Sequence, residues 1–332
     1  MSKLSEFVEK INSRTGFTGT FRFDEPMAAH TSFRVGGPAD LLIRPDGDCF
    51  LRYAAELLPA ARAEGIPVFI LGAGANLLVA DRGIRGIVLD TGGWSGWDEP
   101  GGTDPKDPGG TDPAGGTDPG GKSAVIRVRS GTAVDALAGA TAALGWGGLE
   151  FLAGMPGSVG GAVWMNARCY GRSVSDILLE TEILDGGGNR LDLPCRQEDF
   201  AYKKSPFQDR ELLILSARFA LEARPPAAIR EEMEGHRRDR EAKGHYRFPS
   251  AGSVFKNHRA LGKPMGQIID ELGLRGLSAG GAAVAPFHGN IIINTGNATA
   301  ADIRALTGEV AARVKAATGF SPEPEIRFVG DW

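Results

Sequence analysis

The stretch Gly147–Gly171, GGLEFLAGMPGSVGGAVWMNARCYG, is glycine-rich and apolar at once. Its glycines (Gly147, Gly148, Gly154, Gly157, Gly160, Gly161, Gly171) are interleaved with Leu149, Phe151, Leu152, Met155, Val159, Val163, Trp164 and Met165. So much glycine is usual in flexible linkers. Linkers, however, do not carry this much hydrophobic surface. The expectation is an ordered, largely buried loop whose backbone comes close to something bulky. Glycine permits that approach and leaves backbone N–H donors for an anionic group.

A second glycine loop lies upstream. A β-α-β pattern is expected there: a strand over Asp40–Arg44, a helix over Asp48–Glu64 opened by a capping aspartate, and strands over Pro67–Leu71 and Gly86–Asp90. Between the last two strands sits GAGANLL, Gly72–Leu78. It is not the Rossmann fingerprint, because the third glycine of GxGxxG is missing and no acidic residue is placed for a ribose. Alone it is as readily a structural turn as an anion cradle. Two such loops together point to one dinucleotide approached by backbone from both, and to FAD more than to NAD in a Rossmann domain.

Around these loops the chain reads as two or three domains, since 332 residues exceed one ordinary core. A net charge of −4 gives no reason to expect nucleic acid or an anionic membrane as partner. Cys49, Cys169 and Cys195 are an odd number without metal-ligand spacing, and the five histidines show no pairing, so neither a disulfide framework nor a metal site is expected. The N-terminal segment carries Leu4, Phe7, Val8 and Ile11 at helical spacing between charges, which is an amphipathic helix and not a signal peptide. No apolar run reaches membrane-spanning length. A reduced cytoplasmic location and a monomer are the expectation. Asp98–Gly121 repeats GGTDP and has nothing to pack, so a disordered insertion is expected. Beyond it, strands are expected over Ser123–Arg129, Ile177–Leu184, Leu212–Ala220, Ile291–Asn294 and Ile326–Val329. Helices are expected over Thr132–Leu144, Pro225–Lys243, Met265–Leu272 and Thr299–Thr318. Thr299 caps the last of these with Asp302 three residues on, and Ile303, Leu306, Val310 and Val314 form one stripe.

Three further places carry candidate chemistry, each with a bland alternative. Ser253 in AGSVF is either a buried turn serine or a proton donor or nucleophile; the absence of GxSxG disfavours acyl transfer. Glu325 in PEPEIRF is either a surface charge paired with Arg327 or a working carboxylate. Lys203 and Lys204 in AYKKSPF are either a solvated turn or an anion-binding group.

Taken in order, TSFRVGGPAD, LGAGANLLVAD, GLEFLAGMPGSVGGAVWMNA with its YG ending, FAYKKSPF, PSAGSVFKN, GGAAV and PEPEIRF resemble the UDP-N-acetylenolpyruvoylglucosamine reductase (MurB) family of peptidoglycan synthesis, in its shorter type. The resemblance implies an α+β flavoprotein. Two subdomains, residues 1–90 and 91–222, would form the FAD-binding fold of vanillyl-alcohol-oxidase type. Residues 223–332 would form an α+β substrate domain whose last strand returns to the active site. It implies non-covalent FAD, NADPH as hydride donor and UDP-N-acetylglucosamine enolpyruvate as substrate, reduced to UDP-N-acetylmuramate. Ser253 matches the family's proton donor and Glu325 its catalytic carboxylate; Tyr202, Lys256 and Asn257 match substrate-contact positions. The cofactor would be held by Arg34, Gly72, Gly74, Asn76, Leu77, Gly154, Pro156, Gly157, Ser158, Gly160, Gly161 and Ala162. Preorganised donors stabilise charge developing on the substrate carboxylate, where one donor is commonly worth roughly 3–4 kcal/mol.

This chain departs from the family at Lys203, where an arginine is usual, at Arg168–Cys169 in NARCYG, and at Ala73 and Ala75 in the first glycine loop. Lysine keeps the charge but loses the two-pronged donor, so Lys203 takes the role with less stabilisation, or Lys204 or Arg168 assists. Two rivals are an FAD oxidase of the same fold, disfavoured because LGAGANLL offers no histidine for covalent flavin, and a non-catalytic flavin-binding homologue.

Overall fold

The computed structural model describes residues 3–101 and 123–332. Most of the expected 98–121 insertion therefore lies outside the described residues. Seven α-helices are described: α1 (Lys3–Thr15), α2 (Gly47–Ala63), α3 (Val134–Ala143), α4 (Val159–Met165), α5 (Pro226–Ala242), α6 (Met265–Glu271) and α7 (Ala300–Thr318). Among the described residues, no helix is long and apolar enough to cross a membrane.

Strands Gly19–Pro26, Pro38–Pro45, Ile84–Asp90 and Val68–Leu71 follow one another, in that order, across a four-stranded sheet. The strands flanking α2 in sequence thus share a sheet, as the β-α-β pattern requires, with Ile84–Asp90 between them. The N-cap of α2 is Asp46, not Asp48, and its side chain makes no capping bond. Asp48 lies in the first turn, where its charge still favours the helix dipole.

The chain divides into two compact units. The first comprises the described residues of 1–21, 43–73 and 89–237. Its antiparallel sheet runs Arg190–Pro194, Leu178–Asp185, Leu212–Ala223, Ser123–Arg129, with Trp146–Gly147 also on Leu212–Ala223. The inward side chains of these strands, with Leu137, Phe151 and Val163, close a core that also takes Ile229 and Met233 from α5.

The second unit comprises 22–42, 74–88 and 238–332. Its core sets Ile303, Leu306, Val310 and Val314 of α7 against Phe33, Phe255, Met265 and Ile269. The expected stripe is the buried face of that helix. Both bonds of the Thr299–Asp302 capping box form, and the Asp81 carboxylate accepts from the N–H groups of Ala300 (2.7 Å) and Ala301 (2.9 Å). That satisfies most of the helix's orphan donors.

Burial in this unit has a pH consequence. The ring of His245 lies 6.0 Å from that of His288. Burial, then the nearby Arg240, then His288 and Lys243, push its pKa down to about 4, with Asp239 opposing. A histidine kept neutral in the fold contributes stability that is complete above its unfolded pKa and is lost as pH falls toward the folded value. Unfolding midpoints are therefore expected to drop as pH is lowered from about 6.5 to about 4, and His245→Gln should flatten part of that drop in thermal melts across the range.

Candidate active site

In the first unit the Gly147–Gly171 stretch is ordered and largely buried, as expected, but it is not all loop. Residues 159–165 form α4, and Val159, Ala162 and Val163 are its buried face. Two carboxylates pin the loop ahead of it. Glu150, 1% exposed, accepts from the Gly148 N–H at 2.7 Å and from Arg224 Nη1 at 2.6 Å. Asp135, on α3, accepts from the Gly154 N–H at 2.7 Å and from Arg237 Nη2 at 2.8 Å. From the same end of α5, His236 Nδ1 donates to the Glu150 carbonyl at 2.9 Å, and its ring stacks on Tyr170, centroids 3.8 Å apart. A buried carboxylate bonded to a cation and a backbone N–H fixes loop geometry that glycine alone leaves loose.

The two glycine loops meet at Gly72, where a Cβ would lie 2.4 Å from Ser158 Oγ. Ser158 Oγ also accepts from the Gly161 N–H as the N-cap of α4. The segment 130–134 runs antiparallel beside 157–160: Val134 N–H donates to Gly157 C=O, Val159 N–H to Thr132 C=O, and Gly160 N–H to Ser130 C=O. In this pairing the N–H groups of Gly157 and Ser158 find no acceptor among the described residues. The same holds for Ala73, Gly74 and Ala75 in the upstream loop. Unused N–H donors on glycine-rich backbone fit the phosphates of a dinucleotide, and the residues present fit FAD.

The FAYKKSPF segment is a tight turn docked on the C-terminal end of α4. Asn166, left-handed at φ 45° and capping α4, donates from Nδ2 to Ala201 C=O at 3.0 Å. Ser205 Oγ and Gln208 Nε2 both donate to Trp164 C=O. Lys203 itself is left-handed, φ 58°. That conformation is costly for a residue with a Cβ and is typical of positions held for function. Tyr202 stands beside it, 38% exposed.

In the second unit Ser253 and Glu325, two of the residues expected to do chemistry, come together. Ser253 to Lys256 is a short extended run with a partner on each side. Ser253 bridges Ile291, and Val254 N–H donates to Asn290 C=O at 2.8 Å. On the other edge, Glu325 N–H donates to Val254 C=O at 2.7 Å, and Lys256 N–H to Glu323 C=O at 2.9 Å. Ser253 and Glu325 are thus neighbours across one backbone pairing. The Ser253 side chain is partly exposed and has no hydrogen-bond partner among the described residues.

The same unit joins Glu325 to the first glycine loop. Asn76 Nδ2 donates to Glu325 C=O at 3.0 Å, Asn76 C=O accepts from Arg327 N–H at 2.9 Å, and Leu77–Val79 pairs in parallel with Arg327–Val329. Gly74 has φ 62°, and a Cβ there would meet His30 C=O at 1.9 Å, so only glycine fits. Arg34 sits exposed on a tight turn, left-handed at φ 55°, between buried Phe33 and Val35. Lys256 Nζ pairs with Glu323 at 2.6 Å, and Asn257 Oδ1 accepts from the Met265 N–H at the start of α6. What remains to a substrate at Asn257 is its amide NH2.

Sequence reasoning missed Asn290. Its carboxamide accepts from Phe255 N–H at 2.9 Å and donates to Phe255 C=O at 2.8 Å. One side chain thereby imitates a strand partner for the run that carries Ser253. It also missed Asp135, Asn166 and His236. None of the four has a local sequence signal, since each acts on a backbone group 19 to 86 residues away in the chain.

Comparison with known proteins bears on both units. An FAD-binding domain family matches residues 53–193, and the family of UDP-N-acetylenolpyruvoylglucosamine reductase C-terminal domains matches residues 244–329. UDP-N-acetylenolpyruvoylglucosamine reductase of Treponema denticola is 37% identical over 326 residues, covering 95% of both chains. That of Borreliella burgdorferi is 36% identical over 328 residues, covering 98% of both. Among solved structures, the enzyme of that name from Thermus caldophilus superposes with a TM-score of 0.71 at 29% identity, covering 94% of this chain and 99% of its own.

Proposed function

This chain belongs to the UDP-N-acetylenolpyruvoylglucosamine reductase family, and we propose that it reduces UDP-N-acetylglucosamine enolpyruvate to UDP-N-acetylmuramate, a step in making peptidoglycan precursors. FAD, held non-covalently, would supply the hydride chemistry between NADPH and C3 of the enolpyruvyl group. The residues of this chain do the rest. Ser253 donates the proton that C2 requires once C3 has gained the hydride, so that one hydride and one proton together saturate the double bond. Glu325 acts beside it as the catalytic carboxylate. Lys203 offers its cation to the substrate carboxylate, where charge accumulates before C2 is protonated. Tyr202, Lys256 and Asn257 contact the substrate. The N–H groups of Gly157 and Ser158 take the cofactor's phosphates, with Gly72, Gly74, Asn76, Leu77, Gly154, Pro156, Gly160, Gly161 and Ala162 lining its path and Arg34 beside it. The reading includes subdomains at 1–90 and 91–222, a substrate domain at 223–332, a cytoplasmic location and a monomeric state.

The observation that supports it most is the 2.7 Å bond from Glu325 N–H to Val254 C=O, by which the segments carrying Ser253 and Glu325 adjoin. The test is NADPH oxidation by the purified protein with and without the enolpyruvyl substrate, followed alongside oxygen consumption. Substrate-dependent oxidation without oxygen uptake supports the reductase. Oxidation that tracks oxygen alone supports an oxidase of the same fold.

Lys203 is the second place to probe. Its left-handed backbone costs an arginine no more than a lysine, since both carry a Cβ. Lys203→Arg restores a planar two-pronged donor and is expected to leave kcat unchanged or raise it by up to about tenfold. A large fall would mean that the turn is built around lysine.

A further inference from the structure

Most buried hydroxyls in the first unit are spoken for. Thr91 Oγ1 donates to Leu71 C=O at 3.0 Å, Thr132 Oγ1 to Gly96 C=O at 3.0 Å, Thr141 Oγ1 to Leu137 C=O at 3.2 Å and Ser205 Oγ to Trp164 C=O at 2.6 Å. Ser216 Oγ donates to the Glu182 carboxylate at 3.0 Å. Two have no partner among the described residues, Tyr53 on the buried face of α2 and, beside the second glycine loop, Ser130. Ser130 is 1% exposed.

A buried hydroxyl without a partner costs about 1–3 kcal/mol, and alanine fits the same space. Ser130 therefore calls for an explanation that packing does not supply. Its backbone is fully engaged, with N–H to Leu215 C=O at 2.9 Å and C=O from Gly160 N–H at 2.8 Å. Its side chain lies against Gly160 so closely that a Cβ on residue 160 would stand 2.8 Å from Ser130 Cβ. This is the segment that runs beside Gly157 and Ser158, whose N–H groups also lack an acceptor. Three donors without acceptors on one pair of adjoining segments describe a place for an anion.

We infer that the Ser130 hydroxyl is a cofactor ligand, donating a hydrogen bond to a phosphate oxygen of the flavin nucleotide. The inference rests on the proposed function for the presence of FAD. It adds a binding residue that neither of the two glycine-loop motifs contains.

The experiment is flavin titration of the apoprotein, read by quenching of flavin fluorescence, for wild type and Ser130→Ala, with FAD and with riboflavin, which has no phosphate. Thermal melts of the two apoproteins are run beside it. Ser130→Ala is expected to weaken FAD binding about 5- to 30-fold, to leave riboflavin binding unchanged, and to leave the apoprotein's midpoint equal or higher. Equal FAD affinity in the two proteins would overturn the assignment and make the hydroxyl's partner an internal water. An equal loss for FAD and riboflavin would also overturn it, by placing the effect in the ring site or the fold. Failure of the wild type to take up FAD at all would sink the flavin reading itself, which is a different result from a wild type that binds and a variant that binds as well.

Discussion

Replacing Ser253 with alanine is expected to lower turnover of the enolpyruvyl substrate by about 10²–10⁴-fold, the usual worth of a positioned general acid, while NADPH still reduces the bound flavin at the wild-type rate. The two half-reactions separate the roles. Ser253 lies on an extended run fixed on both edges, by Asn290 and Ile291 on one and by Glu323 and Glu325 on the other. Its side chain spends no hydrogen bond within the described structure. Removing one hydroxyl from such a place leaves the backbone pairing intact, so FAD affinity and the unfolding midpoint should hardly move. Stopped-flow traces of flavin reduction by NADPH, and of reoxidation by substrate under anaerobic conditions, measure both steps. A variant that slows the first step as much as the second would remove Ser253 from the proton-donor role.

Asn290→Ala is expected to have the largest effect on stability and a substantial one on rate. Asn290 is 4% exposed, and among the described residues its carboxamide is the only hydrogen-bond partner of both backbone groups of Phe255, accepting from the N–H and donating to the C=O. Alanine leaves both groups buried and unmet, at about 1–3 kcal/mol each. Chemical denaturation should record a loss of roughly 2–4 kcal/mol from the two together. The rate falls for a different reason. Asn290 holds the register of Ser253 against Glu325, and a shift near 1 Å at a reacting group costs on the order of 10²-fold. The expected signature is a lower kcat with unchanged FAD affinity. Asn290→Asp should fall between, because a carboxylate still accepts from the Phe255 N–H but faces the Phe255 carbonyl with another oxygen. If kcat in Asn290→Ala matched wild type at a temperature where the variant is folded, the positioning role would be gone and the residue would be structural alone.

Much of this molecule is legible in its residues, and what is not has definite causes. Helix α7 announces itself, because the Thr299–Asp302 box and the stripe from Ile303 to Val314 are local signals that local physics obeys. Helix α4 does not. VGGAVWM contains two glycines, each costing about 1 kcal/mol in a helix, and reads as loop. Burial of Val159, Ala162 and Val163 outweighs that preference, and burial is not visible in a seven-residue window. The cap of α2 lies two residues before the expected Asp48, and the helix begins one residue early at Gly47, because Asp46 and Asp48 are equally plausible caps and the Asp46 side chain makes no capping bond. For the site, the family resemblance singled out Ser253 and Glu325 but said nothing of their approach. That depends on a pairing between segments some seventy residues apart, which only the fold supplies. Asn290 and Ser130 were out of reach for the same reason. Each is an ordinary polar residue whose meaning lies in what it does or does not touch.

On the proposed function, this chain passes a hydride from NADPH, by way of bound FAD, to an enolpyruvyl group. The most direct test is a single turnover without oxygen. The FAD-loaded protein is reduced with one equivalent of NADPH, its visible flavin band is seen to bleach, and UDP-N-acetylglucosamine enolpyruvate is then added. Prompt return of the band with formation of UDP-N-acetylmuramate is the predicted result. A protein that takes up no FAD, or a reduced flavin that stays bleached with the substrate and recovers only when oxygen is admitted, would contradict it.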